Sequence, residues 1–192
     1  LINERGGCFA LSDFSEYRPK YRQVLHSTYH GTDVVSFGPP SGGCAVLEML
    51  NILETQDVQK TGQNTAATIH ALAEAMKLGF ADRSQALGDP DFVQVDTDRL
   101  ISKKFAGERA ALMTEKAGEF AAAENIAAKE YPGNTSHFAV MDKEGNAFSQ
   151  TQTVRDWFGC GIVVNGLGFV LNNAMSDFSA EAGAITSQGL SY

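Results

Sequence analysis

The apolar residues of this chain change their repeat at Gly133. Before it they recur at three and four residues, the spacing of one helix face; after it they alternate by two, the spacing of one strand face. Helix-forming segments followed by a β-rich meander fit an α+β fold, layered as an αββα sandwich, and not a chain of βαβ units. Leu1 to Phe37 mixes short apolar patches with turn residues, and Ser27–Ser36 reads as a strand pair about His30-Gly31. Residues 38–43, GPPSGG, forbid a regular element. A helix follows, with Ala45, Leu47, Met49, Leu50, Ile52 and Leu53 as its stripe. The next, capped by Asn64 or Thr65, carries Ile69, Leu72, Ala73, Met76 and Phe80 as its expected core face, and Gly88-Asp89-Pro90 closes the run after it. A third helix is expected over Thr97–Ala106, opened by Asp96 and bearing Leu100, Ile101 and Phe105. The Ala- and Glu-rich stretch Thr114–Gly133 reads as an exposed linker. Beyond it, Phe138, Val140 and Phe148 share a strand pattern, and Asp142–Asn146 is a hairpin turn. Residues 147–154 return as a strand, and Gly161–Val164 and Phe169–Leu171 form two more, joined by Asn165–Gly168.

Composition removes whole classes of function. With 43% hydrophobic and 20% charged residues in 192, the chain can bury a core and is not disordered. A net charge of −8 argues against a nucleic-acid or anionic-membrane partner. No apolar run reaches the roughly 18 residues a spanning helix needs, and the opening LINERGGCFALSD lacks the apolar region of a signal peptide. Cys8, Cys44 and Cys160 are too scattered for a disulfide framework, and no CxxC pair is present. There is no GxSxG elbow, no Ser-His-Asp constellation and no His-rich cluster, and GPPSGG lacks the lysine of a phosphate loop and reads as a tight turn. No metal or organic cofactor is implied.

The chemistry-bearing stretch is NTSHFAVMDKEGNAFSQTQTV, residues 134–154. Thr135 opens a strand, and Thr153 stands on the expected return strand, so two hydroxyls can meet at one sheet edge. Threonine is a weak nucleophile until a base takes its proton. If the chain is cut before Thr135, the freed α-amine, with an ordinary pKa of about 7.7–8.0, can be that base. Thr153 can then orient the nucleophile. A threonine here also suits a strand start or a cap without any chemistry. Alternation turns His137 to the face opposite Ser136, where a strand histidine is commonly just a satisfied polar residue.

Several motifs in register carry a resemblance. Thr135-Ser136-His137, Gly145-Asn146, Ser149-x-Thr151-x-Thr153 and Phe158-Gly159 resemble the signature of the γ-glutamyltranspeptidase family of N-terminal-nucleophile hydrolases. GPPSGG with LEMLNILE, HALAEAMKLGFADR with GDPDF, and GFVLNNAMSDFS agree in the same order, so the resemblance spans nearly the whole chain. It implies a layered αββα sandwich made as a precursor that cleaves itself between Asn134 and Thr135. Residues 1–134 would then be the C-terminal part of a large subunit and residues 135–192 the N-terminal part of a small one. Thr135 would take a γ-glutamyl-like acyl group from an amide and pass it to water or an amino acid, with Thr153 bonded to it and Asp177 holding the substrate's α-ammonium.

Two positions depart from the family pattern. Arg155 replaces an Asn or Glu, and Ala174 a Gln or Glu, at positions that help hold that ammonium. A cation there repels an ammonium and suits a carboxylate, so glutaryl or succinyl amides, as used by related cephalosporin acylases, are the alternative donors, unless Arg155 points to solvent. A non-catalytic binding or assembly module is the rival reading. Ala139 for a hydroxyl residue and Phe148 for a smaller aliphatic read as packing variation. The family is several hundred residues long, so this stretch is expected to be silent alone: its oxyanion glycines, paired serine and carboxylate-binding arginine would lie elsewhere. The resemblance also implies a small-molecule amide substrate and a periplasmic or secreted setting; a stretch shorter than the family's length is expected to expose an apolar edge, which favours a homodimer or aggregate.

Overall fold

The structure is a computed structural model and describes residues 2–120 and 134–177. It contains a 3-10 turn at Asn3–Arg5, α1 (Leu11–Ser15), β1 (Val24–Tyr29), β2 (Thr32–Phe37), α2 (Gly43–Glu54), α3 (Val58–Thr61), α4 (Ala66–Ala86), α5 (Thr97–Leu100), α6 (Lys103–Ala110), β3 (Ser136–Met141), β4 (Ala147–Gln152) and a 3-10 turn at Ala174–Asp177. This mixture of helices and two-stranded antiparallel sheets is an α+β arrangement.

The strand pair about His30-Gly31 is present as β1–β2, with Tyr29 opposite Thr32. His30 (φ 48°) and Gly31 (φ 79°) both take left-handed backbone, which matches the two-residue turn to the twist of the strands. Glu54 on α2 fixes the turn by accepting the His30 N–H at 2.6 Å. The GPPSGG segment ends where α2 begins. Gly43 must be a glycine there, because a Cβ would lie 2.3 Å from the Phe37 carbonyl oxygen.

Helix α2 is the centre of the described core. Cys44, Leu47 and Ile52 are fully buried, and α2 packs against α4, α6 and both strands of the first hairpin. Helix α4 is capped as expected, Thr65 Oγ1 accepting the Thr68 N–H at 3.3 Å. Its buried face differs from the expected one. Ala71, Glu74, Ala75, Leu78, Gly79 and Ala81 face inward, while Ile69, Leu72, Met76 and Phe80 are 44–56% exposed. Helix α4 meets α2 through small residues, and Met49 lies where a Cβ on Gly79 would be. Close approach of two backbones selects the small stripe, which a count of large apolar residues overlooks.

The single helix expected over residues 97–106 is two. Asp96 caps α5 by accepting from Arg99 N–H at 3.1 Å, and Ser102 caps α6 by accepting from Phe105 N–H at 3.1 Å. The break lets Leu100 and Phe105 enter the same apolar cluster from separate helices. Residues 114–120 take no regular element, and their surface is mostly exposed. They are nonetheless tied to α4: Gly118 N–H donates to Glu74 at 2.9 Å, and Phe120 packs on the second cluster. The rest of the expected linker, 121–133, lies outside the described residues.

After Gly133 the period of two becomes β3 and β4, antiparallel, with Met141 opposite Ala147. Asp142 organises the turn by accepting the N–H groups of Glu144 and Asn146 at 3.0 and 2.8 Å. The return strand ends at Gln152, not at residue 154. The two further strands expected at 161–164 and 169–171 reduce to one bridge, Val163↔Val170, supported by the bonds Val164 N–H to Phe169 O and Leu171 N–H to Ile162 O. No residue of 134–177 is buried among the described residues. Short strands that the described residues leave exposed gain little from packing and hold few pairs.

Candidate active site

The ladder of the second hairpin ends with Ser136 opposite Gln152. One residue outward on each side come Thr135 and Thr153, so the hairpin carries both to the same end. Strand alternation assigns them to the face of His137, Thr151 and Ser149, while Phe138, Val140 and Phe148 occupy the other. Thr135 is exposed. Just before it, the Asn134 Oδ1 atom is buried and takes no hydrogen bond from a described residue.

Thr153 lies just past the strand, and its hydroxyl accepts the Arg155 N–H at 2.9 Å. That short loop leaves Arg155 in left-handed backbone, φ 74°. The side chain turns inward and is only 15% exposed, so Arg155 does not point to solvent. Its Nε donates to Asp177 Oδ1 at 2.5 Å, and Nη1 donates to both carboxylate oxygens of Asp156 at 2.9 and 3.0 Å. Asn173 completes the contact: its amide donates to Asp156 Oδ2 at 2.6 Å, and its Oδ1 accepts the Asp156 N–H at 3.1 Å. The segment after β4 is thus laced to the 3-10 turn that bears Asp177. One cation between two carboxylates leaves a net charge of −1, and the bond to Asp177 raises the pKa of the guanidinium.

The residues singled out from sequence therefore form two groups. Asn134, Thr135 and Thr153 stand at the hairpin end; Arg155, two residues beyond Thr153, pairs directly with Asp177. Asp156 and Asn173 belong to the second group and escaped the sequence reading. Their signal was adjacency to Arg155 and the repeated Asn of NNAM. His137 is bonded on both ring nitrogens, to Thr151 Oγ1 at 2.7 Å and to Ser149 Oγ at 3.0 Å. Among the described residues no cluster of three or more His, Cys, Asp or Glu is arranged to hold a metal ion.

A family model described as Gamma-glutamyltranspeptidase matches residues 1–191, both groups included. The chain belongs to that family. Among γ-glutamyltranspeptidase relatives, it is similar to a glutathione hydrolase proenzyme of Pseudomonas sp. (strain A14). The two are 37% identical over 194 residues, covering 96% of this chain and 32% of that protein. It is also similar to the acylase ACY 1 proenzyme of Pseudomonas sp. (strain SE83), at 38% identity over 180 residues, covering 93% of this chain and 32% of the relative. Among solved structures, the cephalosporin acylase from Bacillus halodurans superposes with a TM-score of 0.81 at 28% identity, over 97% of this chain and 32% of that one. The chain thus spans about a third of the length of the curated relatives it matches.

Proposed function

We propose that this chain carries the nucleophile region of a γ-glutamyltranspeptidase-like amidohydrolase and acyltransferase, active as a protein of its relatives' full length. The observation that carries the reading is the register of β3 and β4, which brings Thr135 and Thr153 to one end of a hairpin inside the family match. In the maturation step Thr135 Oγ attacks the Asn134 carbonyl carbon. The C–N bond breaks, the hydroxyl proton passes to the departing amine, and an ester remains. Water then hydrolyses the ester, which separates the two chains as an Asn134 carboxylate and a Thr135 whose hydroxyl is restored beside its free α-amine. In turnover that amine takes the hydroxyl proton as Oγ attacks the amide of a small donor; the leaving amine departs with the proton, and water or an amino acid then receives the acyl group. Thr153 orients the nucleophile. The similarity to a cephalosporin acylase structure supports a layered αββα sandwich for the whole protein; in this reading the boundary between subunits falls at Asn134–Thr135. A periplasmic or secreted setting, implied by the family likeness, belongs to the same reading, as does association of this chain into a homodimer through its exposed apolar edge.

A second reading concerns the donor, and one observation favours it. Asp177, the residue proposed to hold a γ-glutamyl ammonium, is already paired with Arg155. A donor without an α-amine, such as a glutaryl amide, loses nothing at such a site, whereas a γ-glutamyl donor must compete with a guanidinium for the carboxylate. The similarity to acylase proenzymes agrees with that reading.

The test uses the full-length protein. Mass spectrometry and N-terminal sequencing should find a subunit beginning at Thr135, and Thr135→Ala should leave one uncut, inactive chain. Permanent absence of cleavage in the unaltered protein would favour a non-catalytic binding or assembly module. Hydrolysis of γ-glutamyl- and glutaryl-p-nitroanilide, measured side by side, separates the two donor readings.

A further inference from the structure

The face of the second hairpin that bears Thr135 and Thr153 has a third component, which the acyl-transfer chemistry above does not use. His137 lies directly opposite Thr151 in the ladder, and Ser149 lies opposite Ala139, two pairs further from the threonine end and on the same face. The imidazole spans both pairs, with Nδ1 at 2.7 Å from Thr151 Oγ1 and Nε2 at 3.0 Å from Ser149 Oγ. A neutral ring has one N–H and one lone pair, so one hydroxyl donates to it and the other accepts from it. The result is a short line of oriented hydroxyls ending at Thr151, adjacent on the same face to Thr153. Its setting makes the line matter. No residue of 134–177 is buried by the described residues, so within this chain cross-strand contacts rather than packing hold this end of the hairpin in register. A two-stranded hairpin has little stability of its own, and cross-strand side-chain pairs are what pin it.

We propose that His137 is a positioning residue: through Nδ1 it fixes the Thr151 hydroxyl, and thereby the register and orientation of the Thr135–Thr153 end for both junction cleavage and acyl transfer. This rests on the reading of Thr135 as nucleophile. It assigns the work to the Nδ1–Thr151 contact, with the Ser149 contact holding the ring. No proton passes from His137 to substrate.

The two nitrogens can be separated by substitution in the full-length protein. An asparagine amide sits near the position of Nδ1, while a glutamine amide reaches toward Nε2. His137→Asn should keep a partner for Thr151, and His137→Gln should keep one only for Ser149. The rate of Asn134–Thr135 cleavage and the steady-state constants for p-nitroanilide donors are measured for both, with Thr151→Val and Ser149→Ala beside them. The expected result is a drop of roughly tenfold in cleavage rate and kcat for His137→Gln and Thr151→Val, as for loss of one orienting hydrogen bond, with KM unchanged. His137→Asn and Ser149→Ala should stay within about threefold of the unaltered protein. A role confined to strand stability would give the reverse order, because asparagine is depleted in strands. The proposal is overturned if His137→Asn falls as far as His137→Gln, or if Thr151→Val keeps full kcat. Retained activity in Thr135→Ala would instead remove the nucleophile reading, and this inference with it.

Discussion

Arg155 sits where an ammonium-binding site would want an acceptor, and the structure gives it two carboxylates to neutralise. Its pairing with Asp177 is part-buried, so screening by water is weaker than for a surface pair. Replacing Arg155 with glutamine removes the guanidinium from the Asp177 carboxylate while keeping a polar side chain beside Asp156. In the full-length protein we expect Arg155→Gln to shift the ratio of kcat/KM for γ-glutamyl- over glutaryl-p-nitroanilide toward γ-glutamyl by about tenfold, the size of a single charge–charge interaction at a binding site. An unchanged ratio would mean that this ion pair has no part in donor choice. A second residue-scale effect concerns stability. Glu48 on α2 is 1% exposed, and its Oε1 has no hydrogen-bond partner among the described residues. Burial, and then the hydrogen bond and charge of Asp82, push its pKa well above the carboxylate range, while Arg109 and Arg99 pull the other way. The folded chain thus keeps a proton that the unfolded chain releases, so stability declines as pH climbs from the usual carboxylate pKa through neutrality. Glu48→Gln should flatten that decline and add on the order of 2 kcal/mol at pH 8, read by urea unfolding at pH 5 and pH 8. Equal slopes for the two proteins would assign the pH dependence elsewhere.

At the scale of elements, α4 separates what sequence pattern can say from what packing decides. Its cap, length and helical spacing were legible, because Thr65 and the three-and-four repeat act locally. Its buried face was not, because the choice between the Ile69–Leu72–Met76–Phe80 stripe and the Ala71–Ala75–Leu78–Gly79 stripe is made by α2. Two substitutions in the 192-residue chain test the assignment. Gly79→Ala gains about 0.5–1 kcal/mol in helix propensity. It also forces a Cβ to within 2.6 Å of Met49 Cγ, and such overpacking costs about 1–3 kcal/mol. The clash outweighs the gain, so net destabilisation of about 1 kcal/mol is expected. Leu72→Ala would cost about 2–5 kcal/mol if that stripe were core, and should cost under about 1 kcal/mol with the side chain half exposed. Denaturant midpoints give both numbers, and the reverse ranking would restore the sequence-based face. The same contrast runs through the other elements. The turns at His30-Gly31 and Asp142–Asn146 were readable from their own residues. The break between α5 and α6 and the fading of the strands after Gln152 depend on what lies against them. Among the site residues, the threonine pair followed from hairpin register, whereas the turn of Arg155 toward Asp177 depends on the left-handed backbone at position 155.

For the whole molecule, the apolar surface is divided unevenly. Among the described residues, the fully buried side chains all belong to the helical part, around α2 and α4. The second hairpin leaves Phe138, Val140 and Phe148 43–59% exposed on one face, and Trp157 and Phe158 stand 69% and 72% exposed beyond it. Each of these costs free energy while it faces water, at about 25 cal/mol per Å² of apolar area. A chain spanning a third of its relatives' length leaves two thirds of their sequence to supply cover. Expressed by itself, the 192-residue chain should therefore self-associate. Light scattering should report a species larger than 20.6 kDa, and Phe138→Ser with Phe148→Ser should shift it toward monomer. The chain should also remain one band, because a carbonyl that is not polarised by its surroundings does not yield to a threonine hydroxyl at a useful rate. Cleavage between Asn134 and Thr135 would instead give pieces of 134 and 58 residues out of 192. If the lone chain cut itself into those pieces, the groups that activate the junction would have to lie within these residues, and the hairpin end, with Asn134, Thr153 and the Thr151–His137 line, would be the place to find them.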